Sequence, residues 1–161
     1  MRLNASTAWS LLASTLLLTS GAWAKKDKPA IKSNEFDFVP IDVSYFEDSD
    51  VILFADYLKG DVYRSANAGE SWDRVDGPPH GSMVEMLLHP FDHKRAYYIS
   101  AELSHWFTED RGETWQEFKT GAPPSVYRSA LTFHAEDVER IIFNAGDCTV
   151  GLCEDIVSTS C

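Results

Sequence analysis

From residue 36 onward the chain is written in short apolar runs separated by Gly, Pro, Asn and Asp, the pattern of strands and turns. Phe36-Asp37-Phe38-Val39 opens the strand-rich part. Val51-Ile52-Leu53-Phe54-Ala55-Asp56 and Asp61-Val62-Tyr63-Arg64 follow, then Trp72-Asp73-Arg74-Val75 and a turn cluster at Asp76-Gly77-Pro78-Pro79-His80-Gly81. A second set repeats the order: Val84 to Leu88, Ala96 to Ser100, His105-Trp106-Phe107, and Trp115 to Phe118, punctuated by Pro123-Pro124. A third begins with Leu131-Thr132-Phe133-His134 and Val138 to Phe143, whereas Val157-Ser158-Thr159-Ser160-Cys161 is not expected to continue a strand. Val84 to Leu88 is long enough for one helical turn, but Gly81 and Pro90 bracket it. No window beyond the N-terminus sustains a 3.6-residue period, so the chain is predicted to be all-β.

Within this pattern one octapeptide occurs twice, 43 positions apart: Ser65-Ala66-Asn67-Ala68-Gly69-Glu70-Ser71-Trp72 and Thr108-Glu109-Asp110-Arg111-Gly112-Glu113-Thr114-Trp115. Both read Ser/Thr-x-Asp/Asn-x-Gly-x-Ser/Thr-Trp. Asn67 and Asp110 can fold back on backbone N–H groups two residues ahead, and Ser71 and Thr114 can add a hydroxyl bond. Gly69 and Gly112 supply the positive φ of a tight hairpin. Trp72 and Trp115 then open the outgoing strand and bury a ring worth roughly 4–6 kcal/mol before entropy is subtracted. His89 and His134, 45 positions apart, extend the period to a third unit. Four short strands per roughly 40–45 residues is the arithmetic of a propeller blade. The expected architecture is an incomplete β-propeller of about two and a half four-stranded blades with these octapeptides as hairpins.

The octapeptide is similar to the Asp box of sialidases, some glycoside hydrolases and sortilin-like sorting receptors. In those families the box lies away from the catalytic or ligand face. The resemblance therefore implies a structural role for Ser65, Asn67, Gly69, Ser71, Trp72, Thr108, Asp110, Gly112, Thr114 and Trp115.

The N-terminus changes the compartment. Arg2, the apolar run Leu11 to Leu18 and the small residues Ala22 and Ala24 make residues 1–24 a signal peptide cleaved after Ala24. Residues 25–35 then read as a polar, flexible leader, and 36–161 as the propeller fragment. The whole chain carries a formal charge of −11, which disfavours nucleic acid and anionic membrane as partners. No second apolar stretch is long enough to span a bilayer, so the chain as written is expected in the secretory lumen or outside the cell, without inserting into a membrane itself. All three cysteines fall at the end, and in an oxidising compartment Cys148–Cys153 would close a short disulfide loop worth about 2 kcal/mol, leaving Cys161 over.

The Tyr63-Arg64-Ser65 entry to the first box, the His89-Pro90 exit, the Arg140-Ile141-Ile142-Phe143-Asn144 strand and the Cys148…Cys153 loop together resemble a fungal vacuolar protein-sorting receptor of the sortilin type. The resemblance covers residues 36–156. It implies a ten-bladed luminal propeller followed by a cysteine-rich module, a membrane span and a cytosolic tail. It also implies late-Golgi and endosomal residence, and soluble vacuolar hydrolase precursors, such as a carboxypeptidase, as partners. On this reading the chain is the N-terminal piece of a longer receptor.

The alternative is a fragment of a secreted Asp-box glycoside hydrolase. Sialidase-type chemistry needs three arginines on a substrate carboxylate, a tyrosine nucleophile and an adjacent carboxylate. Arg64, Arg74, Arg95, Arg111, Arg128 and Arg140 sit in a box or beside strand ends, with no spacing that marks a site. No catalytic residue is assigned, and the chain is not expected to be an enzyme. Pro90 denies His89 and His93 a shared helical face, so no metal or cofactor set is read. His80, His89, His93, His105 and His134 are expected to cap turns and strand ends, with protonation in an acidic compartment as the competing role. The ligand-contacting residues are not assigned.

Overall fold

The computed structural model describes residues 31, 33–36, 42–149 and 152–159, with side chains to residue 146. The signal peptide with Ala22 and Ala24, most of the leader, and the side chains of Cys148, Cys153 and Cys161 lie outside the described residues.

Eleven strands form three antiparallel sheets, and no helix occurs among the described residues. The first sheet holds β1 (Asp42–Tyr45), β2 (Ile52–Asp56), β3 (Asp61–Ser65) and β4 (Asp73–Arg74), in chain order. The second holds β5 (Met83–Leu88), β6 (Ala96–Ser100), β7 (Ser104–Thr108) and β8 (Gln116–Lys119), again in order. The third holds β9 (Leu131–Phe133), β10 (Ile141–Thr149) and β11 (Leu152–Thr159). Each sheet is a meander, in which every strand pairs with its neighbour in sequence. These are three consecutive propeller blades.

Three sequence expectations need correction. The first strand among the described residues lies at Asp42–Tyr45, where Asp42, Val43 and Ser44 are half-buried without clean alternation; Asp37, Phe38 and Val39 lie outside the described residues. Phe36 lies outside any strand and packs by its side chain instead. Val138, Glu139 and Arg140 belong to the β9–β10 turn, because β10 starts at Ile141. Val157 to Thr159, which read as failing to continue a strand, are the end of β11, with Ile142 opposite Thr159 across the ladder. Polar residues there hide strand character from a hydrophobicity reading, whereas backbone pairing with β10 does not depend on side-chain polarity.

Alternation along the second strand of each blade builds the core. Ala96 and Tyr98 face the first blade, where they join Leu53, Ala55, Val62 and Val75 in one buried cluster with Met86 and Trp106. Tyr97 and Ile99 point the other way and join Ala130, Leu131, Phe143 and Ala145 of the third blade. The middle blade is thus buried on both faces, which is why β6 is buried at all five positions.

Candidate functional site

The ladder registers place the connections on two opposite rims. Leu88 pairs with Ala96 and Ala96 with Thr108, so the first-to-second strand turns and the octapeptides share one rim. Met83 pairs with Ser100 and Ser104 with Lys119, so the second-to-third turns and the blade-to-blade connections share the other.

On the first rim each octapeptide is a closed hydrogen-bond system. Thr108 Oγ1 accepts from Asp110 N (3.2 Å) and Gly112 N (2.9 Å) and donates to Asp110 Oδ1 (2.7 Å). Asp110 Oδ1 also accepts from Thr114 N at 2.9 Å, and Oδ2 from the Thr114 hydroxyl at 2.5 Å. Trp115 Nε1 donates to Gly112 O at 3.2 Å. The first copy repeats this: Ser65 Oγ accepts from Gly69 N at 2.8 Å, Asn67 Oδ1 from Ser71 N at 3.0 Å, and Asn67 Nδ2 donates to Ser71 Oγ at 3.0 Å. The acidic or amide side chain therefore reaches four residues ahead, rather than the expected two. The reason is backbone shape: Ala68 and Arg111 take positive φ (55° and 60°) along with Gly69 and Gly112 (87° and 79°), which curls the loop around the side chain. Burial opposes ionisation of Asp110, but hydrogen bonds from Thr114, Thr108 and Glu113 outweigh it and hold its carboxyl below the usual range. Trp72 and Trp115 are half-buried and just precede β4 and β8, so the full burial value is an upper bound for each.

The same rim carries a second repeat, visible in the sequence only as the His89/His134 echo. His89-x-x-Asp92-x-x-Arg95 and His134-x-x-Asp137-x-x-Arg140 close equivalent hairpins. The imidazole Nδ1 of His89 accepts from Phe91 N, and that of His134 from Glu136 N and Asp137 N. Asp92 Oδ1 accepts from Lys94 N and Asp137 Oδ1 from Glu139 N. Buried Arg95 then bonds Asp92, Glu109 and Glu139 and the carbonyl of Val138, tying the second blade to the third. His89 and His134 thus cap turns.

The other rim is less repetitive. Fully buried Asp61 accepts from Arg74 Nε (2.9 Å), Gly81 N (3.2 Å) and His80 Nδ1 (2.7 Å), anchoring the connection between the first two blades. Burial opposes its ionisation, but these bonds prevail and lower its pKa. Between the second and third blades a cavity of about 800 Å³ opens, lined by Val84, Glu85, Pro123, Pro124, Val126 and Tyr127 among others. Glu85 Oε2 accepts from Ala130 N at 2.8 Å and fixes the end of this connection. Val126 and Tyr127 are 78% and 73% exposed, so large apolar side chains stand in solvent beside a concave surface. Sequence reasoning missed this segment because it lies outside the repeat and carries no motif; its one signal was the Pro123-Pro124 break.

The arginines do not converge on a pocket. Arg64 donates to Arg111 O, Arg74 binds Asp61, Arg95 binds its three carboxylates and Arg140 pairs with Asp137. No helix of the described residues is long and apolar enough to cross a membrane.

The Sortilin-Vps10 family model, described as sortilin and neurotensin receptor 3, matches residues 60–160. Vacuolar protein sorting/targeting protein 10 of Verticillium alfalfae is 40% identical over 154 residues, covering 95% of this chain and 11% of that protein. The protein of the same name in Colletotrichum graminicola is 40% identical over 162 residues, covering 98% of this chain and 10% of that protein. The chain thus spans about a tenth of the length of the curated relatives it matches. Among solved structures, a GH74 xyloglucanase from Xanthomonas campestris aligns with a TM-score of 0.52 at 16% identity, over 70% of this chain and 17% of that one. That likeness supports the propeller fold and carries nothing about chemistry. The relatives alike in sequence bear the name of a vacuolar sorting protein, and the chain belongs to the Sortilin-Vps10 family.

Proposed function

We propose that the chain is the first part of the luminal propeller of a sorting receptor that binds soluble vacuolar hydrolase precursors, carboxypeptidase-like cargo among them, between late Golgi and endosome. The observation that carries this reading is the 40% identity, across 95% of the chain, to a protein named for vacuolar sorting. The molecule supports it in one further respect. The exposed side chains of Val126 and Tyr127 and a concavity of about 800 Å³ beside them lie on the rim opposite the boxes, around Pro123–Ser129. That rim is the proposed cargo-facing side, and the ten box positions act as staples that hold it from behind.

Residues 1–24 direct the chain to the secretory lumen and are removed after Ala24, and Cys148 is joined to Cys153. The ladder supports the pairing, since it sets these two residues opposite each other next to the β10–β11 turn.

The test is a chimera. Residues 25–161 replace the matching segment of the Verticillium alfalfae relative in a fungal strain lacking its own receptor, and secretion of a vacuolar carboxypeptidase precursor is measured. Intracellular retention is expected, with secretion rising several-fold for the V126D/Y127A double variant. Normal sorting by that variant overturns the assignment of the rim, and secretion by the unaltered chimera, folded and delivered to the Golgi, overturns the receptor reading.

A further inference from the structure

The second box carries an arginine side chain that the box does not use. Arg111 occupies the place of Ala68 in the first box, and both residues take positive φ (60° and 55°). Both also donate their backbone N–H to a neighbouring turn, Ala68 to Asp50 O at 2.8 Å and Arg111 to Lys94 O at 3.0 Å. A methyl group therefore satisfies this position in one copy. In the other stands a guanidinium whose Nε is buried without a hydrogen-bond partner, and Arg111 forms no ion pair among the described residues. Taking a charged donor out of water without a partner costs free energy that the hairpin does not offset.

Arg111 lines a cavity of about 390 Å³ that all three blades build. Glu47 and Asp48 come from the β1–β2 turn, Phe91 to Lys94 from the β5–β6 turn, and Val138 from the β9–β10 turn. Some of its charges are engaged within the fold. Glu47 faces His93 Nδ1 at 3.3 Å, and Asp92 is held by Arg95 Nε at 3.0 Å and by Lys94 N at 3.0 Å. The Arg111 guanidinium, the Lys94 ammonium and the exposed Asp48 carboxylate have no ion pair among the described residues, which sets two cations against one anion. Phe91, 48% exposed, and Val138 give the cavity an apolar wall.

We infer that this cavity binds a carboxylate carried on a small apolar group, with Arg111 as its planar donor and Lys94 as a second positive charge. A surplus of one positive charge suits a monoanion, whereas a phosphate dianion would bring a further negative charge towards Asp48, Glu47 and Asp92. The volume lies within the range of small-molecule sites. The site is on the box rim, away from the proposed cargo-facing rim, and does not rest on that assignment. Its carboxylate comes from a free acid or from an acidic side chain of a longer protein, since the chain spans about a tenth of its curated relatives.

Titration of the chain with benzoate, followed by ligand-observed NMR, tests this. A Kd of roughly 1–10 mM is expected for a ligand of this size. Benzamide, which keeps the ring and loses the charge, and phenyl phosphate, which carries a second charge, are expected to bind about tenfold more weakly. R111A is expected to weaken benzoate binding about tenfold and to leave the urea midpoint unchanged, because alanine already fills this place in the first box. D48N is expected to tighten benzoate binding about twofold. Equal binding of benzamide, tighter binding of phenyl phosphate, or full benzoate affinity in R111A overturns the proposal. So does a marked loss of stability in R111A, which makes the side chain part of the fold, and so does weaker binding by D48N. The chimera with the Verticillium alfalfae relative identifies the source of the carboxylate. Benzoate binding by both chain and chimera assigns a free acid, binding by the chain alone assigns an acidic side chain of the longer protein, and binding by neither overturns the site.

Discussion

Acidification from pH 7 to pH 5.5 is expected to loosen the seam between the second and third blades through His105. Its imidazole is fully buried between the rings of Phe118 and Phe143, with centroids 5.2 and 5.0 Å away. Nδ1 accepts from Ser100 N at 3.3 Å, which leaves Nε2–H to donate to Thr120 Oγ1 at 3.0 Å. A second proton would have to sit on Nδ1, against a backbone N–H and away from water. Burial accordingly pushes the pKa down from 6.5 to about 4.

The sign follows from which state takes up the proton. Between about pH 6.5 and 4 the unfolded chain protonates His105 and the folded chain does not, so stability falls as pH falls. Linkage puts the loss at about 1 kcal/mol between pH 7 and 5.5, reaching about 3 kcal/mol by pH 4. His89, also lowered by burial, adds to the loss in the same direction. Asp61 and Asp110, held below the usual carboxylate range, lose their contribution only at more acid pH, as they protonate. Urea melts at pH 7 and 5.5 measure the difference, with H105F as the comparison. Phenylalanine fits the aromatic sandwich but strands the Ser100 N–H, so it starts about 1–2 kcal/mol lower at pH 7. Its stability should then change less with pH than that of the unaltered chain. An unchanged difference between pH 7 and 5.5 in H105F would refute the argument.

The two box glycines should respond unequally to alanine. G112A combines positive φ with a Cβ 2.9 Å from Leu53 and should cost about 2–3 kcal/mol in urea melts. G69A meets nothing closer than 3.7 Å and should cost about 1 kcal/mol, from φ alone. D110A removes the acceptor for Thr114 N and for two hydroxyls and should lower stability by about 1–3 kcal/mol, with the melting midpoint as readout. Arg95→Met leaves the carboxylates of Asp92, Glu109 and Glu139 facing one another, and faster limited proteolysis within 134–140 is expected. N-terminal sequencing of the secreted product should begin at Lys25, and peptide mapping without reductant should recover Cys148 linked to Cys153.

What was legible in the sequence was whatever repeats. The octapeptides, the strand pairs on either side of them and the His89/His134 echo could be read because one local solution is used more than once. The positive φ of Arg111 could not be read, since nothing about arginine announces it; the loop imposes it through the bonds to Thr108 and Asp110. Arg95 looked like one more strand-end arginine, because its carboxylates at 109 and 139 are brought to it only by blade stacking. Phe36 read as the start of a strand by its apolar neighbours, but an aromatic ring can be buried by packing on a face as well as by pairing at an edge.

The candidate binding surface stayed hidden for a related reason. A staple must solve the same geometric problem at every blade, so selection for folding writes it as a repeat, whereas recognition of one partner is a problem met at one place. Val126 and Tyr127 illustrate the second case: they lie in a blade-to-blade connection whose counterpart between the first two blades, Val75 to Ser82, is pinned by Asp61 through His80 and Gly81. Both connections are held by hydrogen bonds, but the second also leaves two large apolar side chains in solvent. A pinned loop explains its own residues through the bonds they make. The Pro123–Ser129 connection is held as well, by Ser125 N donating to Asn144 O and Asn144 Nδ2 to the Ser129 carbonyl, but those bonds call for no large apolar side chain at 126 or 127, and that is the physical ground for placing cargo contact there.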